Sequence, residues 1–446
     1  MTIENTADHT DVLDECGSRR RTRSPARAWL VAGMIIVLAM INFGDKAILG
    51  LAAVPLTKEL GLSQTTYGLV ASSFFLLFSI AGVAVGFLAN RIPTKWLILA
   101  IALIWSISAV PLVAAASIAT LFLSRIVLGA SEGPTASLAT HALYKWFSPE
   151  KRAIPSTLYT MGAGLGVFVS APTLTWLISN HGWRSGFVAL AIAGVLWSAV
   201  WAVVGREGPE RSPETADGEP PEAAAKSTER LPYRRILLSP TWLGSASSTF
   251  GGYWCVVVSS AFVPAYLVTQ RGYTPAHAAK AVSAYAIVAV ILPVVVAVVA
   301  GRFHRRGHSS RVAYGVPQAV LVLIPAGLMF VLPHIGSSSV FFIVVALAFG
   351  IGYAAMPLSY LTASEVTPAH QRGAVLGILV AVQTLPGLFA PALTGWIIDA
   401  ASNQGSGFTH AWTACAIVMT VCGLFALGAI RPGRDAARLG LRKATP

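Results

Sequence analysis

VSAYAIVAVILPVVVAVVA, residues 282–300, is a run of 19 residues that carries no charged side chain. A helix rises about 1.5 Å per residue, so a helical run of this length crosses the roughly 30 Å hydrocarbon core of a bilayer. Comparable runs recur along the chain, for example at 29–42 and 97–124. Only 11% of the 446 residues are charged, whereas a soluble domain carries roughly 25%. We therefore predict that most of this chain lies in a membrane.

Windows of about 19 residues divide the chain into two sets of six apolar spans. A polar stretch rich in Glu, Pro and Arg, residues 206–236, separates the sets and is predicted to be a cytoplasmic linker. We predict an all-α polytopic membrane protein with twelve transmembrane helices in two pseudo-symmetric halves, the first half at 29–205 and the second half at 237–430. A disordered cytoplasmic head is expected at 1–28 and a cytoplasmic tail at 431–446. The predicted spans, numbered one to twelve in chain order, are 29–56, 66–89, 96–115, 119–143, 153–178, 183–205, 241–269, 277–300, 311–332, 338–363, 371–400 and 407–430.

The net charge of +13 would suit a nucleic-acid partner, but the basic residues lie in short loops between apolar spans, where they fix membrane orientation. Most of these Lys and Arg residues fall in even-numbered loops and in both terminal segments. The positive-inside rule then predicts a multi-pass protein of the bacterial inner membrane with cytoplasmic N- and C-termini, in contact with lipid and not with nucleic acid. The four cysteines have no ligand-like spacing, so neither a metal site nor a disulfide framework is predicted.

The two halves repeat a short motif at a constant offset. Residues 171–175 read APTLT and residues 390–394 read APALT, and Pro149 and Pro368 precede the two copies, each pair being 219 residues apart. Duplicated six-helix units are the arrangement of carriers that work by alternating access, with a substrate site near the bilayer midplane between the halves. The repeat therefore predicts a secondary transporter.

Four ionisable side chains stand out because they lie at depth in the apolar spans: Asp45 and Lys46 in span one, and Arg125 and Glu132 in span four. A charge at this depth costs at least a few kcal/mol, so each is a functional candidate with a partner to be identified. Counted along each helix, Asp45 and Arg125 reach about the same level in the outer part of the bilayer, which makes them a candidate pair. Glu132 follows Arg125 by seven residues, so it lies on the same helix face about 10 Å deeper. These side chains are predicted to line one cavity.

The four charges sum to zero when all are ionised, so adding an anionic substrate requires adding a cation. A carboxylate in a low-dielectric site takes up a proton more readily, which makes Asp45 and Glu132 the predicted proton sites. In this hypothesis protonation of Asp45 frees Arg125, which then holds the substrate carboxylate together with Lys46. The same residues also allow a fixed ion-pair network that only orients the helices.

The sequence around these charges resembles the major facilitator superfamily and, within it, the anion:cation symporter family, over nearly the whole chain. Residues 125–133, RIVLGASEG, are similar to that family's fourth-helix motif, and WFSP at 146–149 and GWR at 182–184 are similar to the region that follows. The resemblance implies the major facilitator fold and uptake of an organic anion, commonly a sugar acid, driven by the proton gradient without a cofactor. It also implies that the charges of spans one and four carry proton coupling and substrate contact. We expect a monomer.

Between spans two and three, GFLANRIPTK at 86–95 resembles the loop motif of the superfamily. Gly86 and Arg91 match this motif, whereas Asn90 replaces its Asp and Pro93 replaces its second Gly. In the family this loop holds the cytoplasmic helix ends together in the outward-open state. Gly86, Asn90 and Arg91 are thus the predicted conformational-switch loop, in which loss of the carboxylate weakens the contact.

The predicted substrate site departs from the family pattern in several side chains. Phe43 and Phe78 stand where family members often carry Tyr. Lys46 replaces an Arg, and Thr384 replaces an Asn. Each change removes a hydrogen-bonding group or replaces a forked guanidinium by a point charge, so we expect a cavity suited less to a sugar acid than to a plainer carboxylate, aromatic ones included. The predicted substrate-binding residues are Lys46, Arg125, Tyr253, Tyr360, Gln383 and Thr384.

Three other functions remain open from the sequence. A proton-coupled exporter of drug-like cations would use the carboxylates of Asp45 and Glu132, although the neighbouring cations argue against it. An anion exchanger would use the two cations but would leave the carboxylates without a role. A transporter-like receptor would carry an additional structured domain, which neither 206–236 nor the tail supplies. The sequence contains no catalytic dyad, metal cluster or phosphate-binding glycine loop, so neither an enzyme nor an ATP-driven pump is predicted.

Overall fold

The computed structural model describes six stretches of the chain, and in those stretches all regular elements are helices. Judged by length and composition, 11 helical stretches of the described residues can cross a bilayer. The remaining predicted span, 119–143, forms two helices of 15 and 12 residues and carries two charges. The predicted all-helical transmembrane class is confirmed. The divided helix of span four completes the set of twelve spans. The described residues are 25–89, 91–147, 151–208, 231–336, 338–368 and 371–441.

Spans two, four, ten and eleven are each divided near the middle. Span four breaks at Gly133 and Pro134, because proline lacks an N–H group and glycine allows a close helix approach. A Cβ at Gly133 would lie 1.9 Å from the carbonyl oxygen of Phe78 in span two. Divided helices are common at transporter sites, because they free backbone groups at the midplane. The helices of spans one to twelve are Pro25–Leu51 with Ala53–Leu60, Gln64–Ser73 with Phe78–Leu88, Thr94–Ser108 with Val110–Ala114, Ile118–Glu132 with Thr135–Trp146, Ala153–His181, Trp183–Val204, Pro240–Thr269, Pro275–Arg305, Val316–Val331, Ser338–Gly350 with Ala355–Glu365, Arg372–Thr384 with Pro386–Asp399, and Gln404–Ala429.

Polar caps start several helices at the end of the protein opposite to residues 206–208 and 231–236; we call this the capped end. Ser63, Ser117, Thr274 and Asn403 each accept a hydrogen bond from the backbone N–H three residues later. Such a cap satisfies one of the N–H groups that the first turn of a helix leaves unpaired. The starts of these helices are therefore encoded locally.

The two halves meet at the capped end. Asp399, the last residue of span eleven, accepts hydrogen bonds from the backbone N–H of Gln64 at 3.1 Å and of Thr65 at 2.7 Å. The Thr65 hydroxyl donates to the same carboxylate at 2.6 Å. A Cβ on Gly395 would lie 2.0 Å from the carbonyl oxygen of Gln64, so a glycine is needed for this close approach. A carboxylate of the second half thus caps the first turn of span two in the first half.

On the side of residues 206–208 and 231–236, the inner segments of the divided spans make their extensive contacts within their own half, and Ser79 contacts Thr384 across the halves. Phe78–Leu88 contacts both parts of span four, and Arg372–Thr384 contacts spans seven and ten. Val83 and Phe87 on the inner segment of span two are 62% and 72% exposed. Within the described chain, the extensive contacts between halves pair Gln64–Ser73 with Pro386–Asp399, span five with span eight, and span one with span seven. The described chain is therefore closed at the capped end and open on the side of residues 206–208 and 231–236.

After the last span of each half, a carboxylate side chain accepts hydrogen bonds from an earlier helix of the same half. After span six, Glu207 accepts a hydrogen bond from the backbone N–H of Lys95 at 3.1 Å. After span twelve, Asp435 accepts hydrogen bonds from the backbone N–H of Thr241 at 2.9 Å and from its hydroxyl at 2.7 Å. The chain also forms short helices in the segments that we predicted as linker and tail, because these segments pack against the bundle. These helices are Tyr233–Leu237 and Pro432–Arg438.

Candidate functional site

Span four carries its two charges into the interior of the first half. Arg125 is 3% exposed and Glu132 is 2% exposed. Both lie on the buried face of Ile118–Glu132, as their spacing of about two turns requires. Glu132 is the last residue of this helix, directly before the break at Gly133. The break therefore places a buried carboxylate at the division of the span.

Lys46 of span one pairs with Glu132. Its Nζ lies 3.3 Å from Glu132 Oε2 and donates a hydrogen bond to Asn42 Oδ1 at 2.8 Å. The Lys46 side chain is 28% exposed, whereas that of Glu132 is fully covered. The centroids of the Phe43 and Phe78 rings lie 4.3 Å and 5.8 Å from the Lys46 Nζ. The ammonium group thus has a buried anion behind it, aromatic rings beside it and an accessible side for a ligand.

Asp45 and Arg125 line one small polar cavity but do not form the direct ion pair that their common depth suggested. The ion pairs of the described residues, taken at 4.0 Å or less, do not include these two side chains. The cavity has a volume of about 10 Å³ and lies between spans one, three, four and six. The Arg125 guanidinium carbon also lies 5.6 Å from the centroid of the Phe187 ring, which is a cation–π distance. The structure therefore brings the two charges to a shared cavity.

In the second half the predicted binding side chains form neutral contacts. The Tyr360 hydroxyl donates to Gln383 Oε1 at 2.9 Å, and Gln383 Nε2 lies 3.6 Å from the sulfur of Met356. Thr384 Oγ1 lies 3.4 Å from the hydroxyl oxygen of Ser79 in the first half. Neutral hydrogen-bonding groups of this kind orient a ligand without adding a charge to the site.

Tyr253 of span seven connects this lining to the first half. Its ring centroid lies 6.1 Å from that of Phe75, edge to face. Phe75 in turn lies 5.9 Å, between ring centroids, from Phe78, whose ring lies beside Lys46. Phe75 reaches span eleven, since a Cβ at Gly387 would lie 2.3 Å from its ring. Tyr253 and Phe75 therefore lie where the two halves contact each other, near the charged side chains of spans one and four.

The predicted conformational-switch loop lies at the open side. A Cβ at Gly86 would meet no atom of the described chain within 4 Å, and Arg91 is exposed. Asn90 lies outside the described residues. The switch role of this loop stays a prediction.

The structure adds side chains to the site that sequence reasoning did not single out. Asn42 precedes Lys46 by one helical turn, so the spacing of span one would have identified it as a neighbour. Trp105 of span three borders the cavity of Asp45 and Arg125. Its contribution depends on how span three packs against span four, which the sequence does not encode locally. Across the described residues no group of three or more His, Cys, Asp and Glu side chains is arranged to hold a metal ion.

Comparison with known proteins identifies relatives over most of the chain. The hexuronate transporter of Bacillus subtilis (strain 168) is 24% identical over 380 residues, which cover 84% of this chain and 89% of the relative. The probable galactarate/D-glucarate transporter GarP of Escherichia coli (strain K12) is 24% identical over 452 residues, covering 94% of this chain and 98% of GarP. The probable sulfoacetate transporter SauU of Cupriavidus necator is 25% identical over 382 residues, covering 83% of this chain and 87% of SauU.

Solved structures show the same fold. A bacterial homologue of the human lysosomal transporter Spinster, inward-facing and unoccupied, matches with a TM-score of 0.76 at 22% identity, covering 92% of this chain and 98% of that one. A D-xylose-proton symporter matches with a TM-score of 0.71 at 16% identity, covering 90% and 98%. The sequence model of the Major Facilitator Superfamily matches residues 35–391. The chain therefore belongs to the Major Facilitator Superfamily and is a multi-pass membrane transporter rather than an enzyme.

Proposed function

We propose that this protein takes up a small organic anion together with protons, as a symporter that works by alternating access. One observation carries the proposal: Arg125 and Glu132 are buried in the first half, Asp45 and Lys46 of span one lie partly buried beside them, and 28% of the Lys46 side chain is exposed. The proposal places the protein in the bacterial inner membrane as a monomer, with both termini in the cytoplasm. It keeps 206–236 as the linker between the two halves.

The balance of charge supports coupling of an anion to a proton. Asp45 and Glu132 offset Lys46 and Arg125 when all four are ionised, so a bound anion leaves the group with excess negative charge. Excess charge is costly in a low-dielectric site, and protonation of one carboxylate removes it. In this proposal Glu132 releases Lys46 when it is protonated, and Asp45 releases Arg125. The released cations then hold the substrate carboxylate.

The conformation supports the alternating-access part of the proposal. The halves are closed where Asp399 caps span two, and open on the side of residues 206–208 and 231–236. A carrier requires a second state in which these ends exchange roles. We propose that Gly86, Asn90 and Arg91 form the contact that closes the open side in that state.

The substrate class follows from the groups next to the cation. Phe43 and Phe78 flank Lys46 and offer no hydroxyl group to a ligand. A sugar acid loses hydrogen bonds to water when it enters such a site, and each unpaired buried polar group costs about 1–3 kcal/mol. The relatives are named for hexuronate, galactarate or D-glucarate, and sulfoacetate. We therefore propose an organic anion, and among organic anions a plain carboxylate or an aromatic acid before a sugar acid.

Uptake into proteoliposomes tests the proposal. The purified protein is reconstituted with an alkaline interior and offered labelled glucuronate, glucarate, sulfoacetate or benzoate, with and without a protonophore. Symport predicts accumulation of one anion above its level in protein-free liposomes under the same pH gradient, abolished by the protonophore; this reference is needed because neutral benzoic acid crosses lipid unaided. An anion exchanger would show counterflow that the protonophore leaves unchanged and no net accumulation. A cation exporter would give no anion uptake and would release drug-like cations instead. Preference for glucuronate or glucarate over benzoate would refute the substrate order and leave symport intact.

A further inference from the structure

Three buried polar atoms around the cavity of Asp45 and Arg125 have no hydrogen-bond partner in the described part of the chain. They are Asp45 Oδ2, Arg125 Nε and Trp105 Nε1, and all three residues line this cavity. Arg125 is 3% exposed and Trp105 is 2% exposed. An unpaired polar group at this depth costs about 1–3 kcal/mol, so three around one space indicate a shared ligand.

The chemistry of the three atoms defines that ligand. The indole N–H of Trp105 and the Nε–H of Arg125 only donate hydrogen bonds, whereas an ionised Asp45 only accepts them. A ligand that satisfies all three must accept twice and donate once. Water has two acceptor and two donor positions, and its second donor can be taken by a serine hydroxyl oxygen of the wall. The wall serines are Ser106, Ser108 and Ser124.

The size of the cavity agrees with one water molecule. Its volume is about 10 Å³, and a bound water requires roughly 10–15 Å³ with two to four polar partners. Spans three and six pack closely against each other beside the cavity, since a Cβ on Gly194 would lie 2.0 Å from Ser106 Oγ and 3.2 Å from Trp105 Nε1. This wall of the cavity has no room for a larger ligand.

We propose that a single bound water joins Asp45 to Arg125, that Trp105 positions this water, and that protons reach Asp45 through it. The inference deepens the proposed function and rests on it, because it assigns the route and the positioning residue of the Asp45 proton. In the transfer, the water first releases the hydrogen bond from one of its two N–H donors, and the freed lone pair takes a proton from a hydronium ion of the solvent. One O–H bond of this protonated water then breaks as one O–H bond forms on the Asp45 carboxylate, and a neutral water that can accept both hydrogen bonds remains. Trp105 contacts neither the substrate nor Asp45 directly in this scheme.

The charged groups around Asp45 decide how its protonation affects its neighbours. Lys46 acts on it from the same helix, and Arg125 and Glu132 act on it from span four. Tyr67 of span two is a further titratable group that acts on Arg125, and its hydroxyl oxygen lies 3.0 Å from the carbonyl oxygens of Leu49 and Ala261. In this scheme the water lies between Asp45 and Arg125. Loss of one of the N–H groups that donate to the water therefore changes the pH at which Asp45 becomes protonated.

The test replaces Trp105 by Phe and compares it with the same change at Trp412. Trp412 is a fair control because it is also fully buried and its Nε1 also has no partner in the described chain, but it lies in span twelve, away from the cavity. The readout is the external pH at which anion uptake is half-maximal in proteoliposomes. Trp105→Phe is expected to raise this pH by about half a unit, because the remaining water stabilises the Asp45 carboxylate less well. Trp412→Phe is expected to leave it unchanged.

Benzothienylalanine at position 105 repeats the test without a change of ring size, since sulfur replaces the indole N–H in a ring of nearly the same shape. It is expected to shift the pH midpoint as Trp105→Phe does. Loss of stability or rate with an unchanged midpoint in both variants would reduce Trp105 to a packing residue and overturn the inference. Equal shifts for Trp105→Phe and Trp412→Phe would also overturn it. If uptake by the wild-type protein does not depend on pH, the proposed function itself fails.

Discussion

The first half and the second half face the same central site with different chemistry. Spans one and four of the first half supply Asp45, Lys46, Arg125 and Glu132, and the structure pairs or groups them in the interior. Spans seven, ten and eleven of the second half supply phenol, amide and hydroxyl groups, as in the hydrogen bond from Tyr360 to Gln383. The two halves share an ancestral pattern in the APTLT and APALT repeat, yet the charges lie in the first half.

This difference suggests a division of labour within a duplicated fold. A buried charge is expensive and its energy changes strongly with protonation, so the first half suits energy coupling. A neutral hydrogen bond contributes only about 1 kcal/mol and changes little with pH, so the second half suits recognition of the rest of the substrate. Variants in the two halves should therefore differ in what they affect, which can be measured.

The largest effect is expected from Arg125→Ala in the first half. This change leaves two buried carboxylates facing Lys46 alone, and loss of one partner from a group of buried charges costs about 3–5 kcal/mol. Anion binding and uptake should both fall by at least about 100-fold, measured by equilibrium binding and by counterflow. Arg125→Lys is the matched control, because it keeps the charge, and it should retain part of the activity. Binding by Arg125→Ala at the wild-type level would remove Arg125 from the site.

Glu132→Gln is expected to separate exchange from accumulation. The amide keeps the size of the side chain and mimics the protonated carboxyl group, so Lys46 stays available to the substrate. Counterflow exchange should stay within about threefold of wild type, whereas proton-driven accumulation should fall to equilibration with the outside. Glu59→Gln is the control, because this carboxylate is 43% exposed and pairs with Arg184. Equal loss of exchange and accumulation in Glu132→Gln would contradict its coupling role.

Tyr360→Phe tests the second half and is expected to act on affinity alone. The change removes the hydroxyl group that holds Gln383, at a cost of about 1 kcal/mol. The KM for the anion should rise about fivefold, and the pH midpoint of uptake should not move. Tyr353→Phe is the control, since the Tyr353 hydroxyl makes no hydrogen bond to the described residues. A shifted pH midpoint in Tyr360→Phe would contradict the division of labour.

The smallest effects are expected where the chain folds back after each half. Partial burial alone would raise the pKa of both carboxyl groups, but hydrogen bonds from Arg434 and Thr241 lower the pKa of Asp435, and those from Lys145 and Lys95 lower the pKa of Glu207. A lowered folded-state pKa contributes stability above the unfolded value of about 4, which is lost as the pH falls through the folded value.

Asp435→Asn should therefore lower the free energy of unfolding by about 1 kcal/mol at pH 7 and by less near pH 3, read from thermal unfolding in detergent. Glu207→Gln should cost less, because its side chain is 29% exposed and that of Asp435 is 2% exposed. Neither variant should change the pH midpoint of uptake. A larger loss of unfolding free energy in Glu207→Gln than in Asp435→Asn would contradict this prediction.

The sequence already located the charged residues, but it could not decide how they are grouped. The depth of Asp45 and Arg125 was predicted from the helical rise, and the structure places both at one cavity. Depth does not specify the direction in which a side chain points around its helix axis. The pair of Lys46 with Glu132 therefore emerged only from the packing of span one against span four. Asn42 was within reach of sequence reasoning, because it lies one helical turn from Lys46.

The sequence by itself determined the membrane class, the order of the spans and the four charges. Uncharged runs, and the charged residues that interrupt them, can be recognised from the order of residues along the chain. Tertiary structure alone decided that Asp399 caps a helix of the other half, that the protein is open on the side of residues 206–208 and 231–236, and that Trp105 joins the cavity of Asp45. Each of these contacts joins residues far apart in the chain. Such contacts depend on how helix faces pack, and an almost uniformly apolar sequence carries little signal for which face of a helix meets which neighbour.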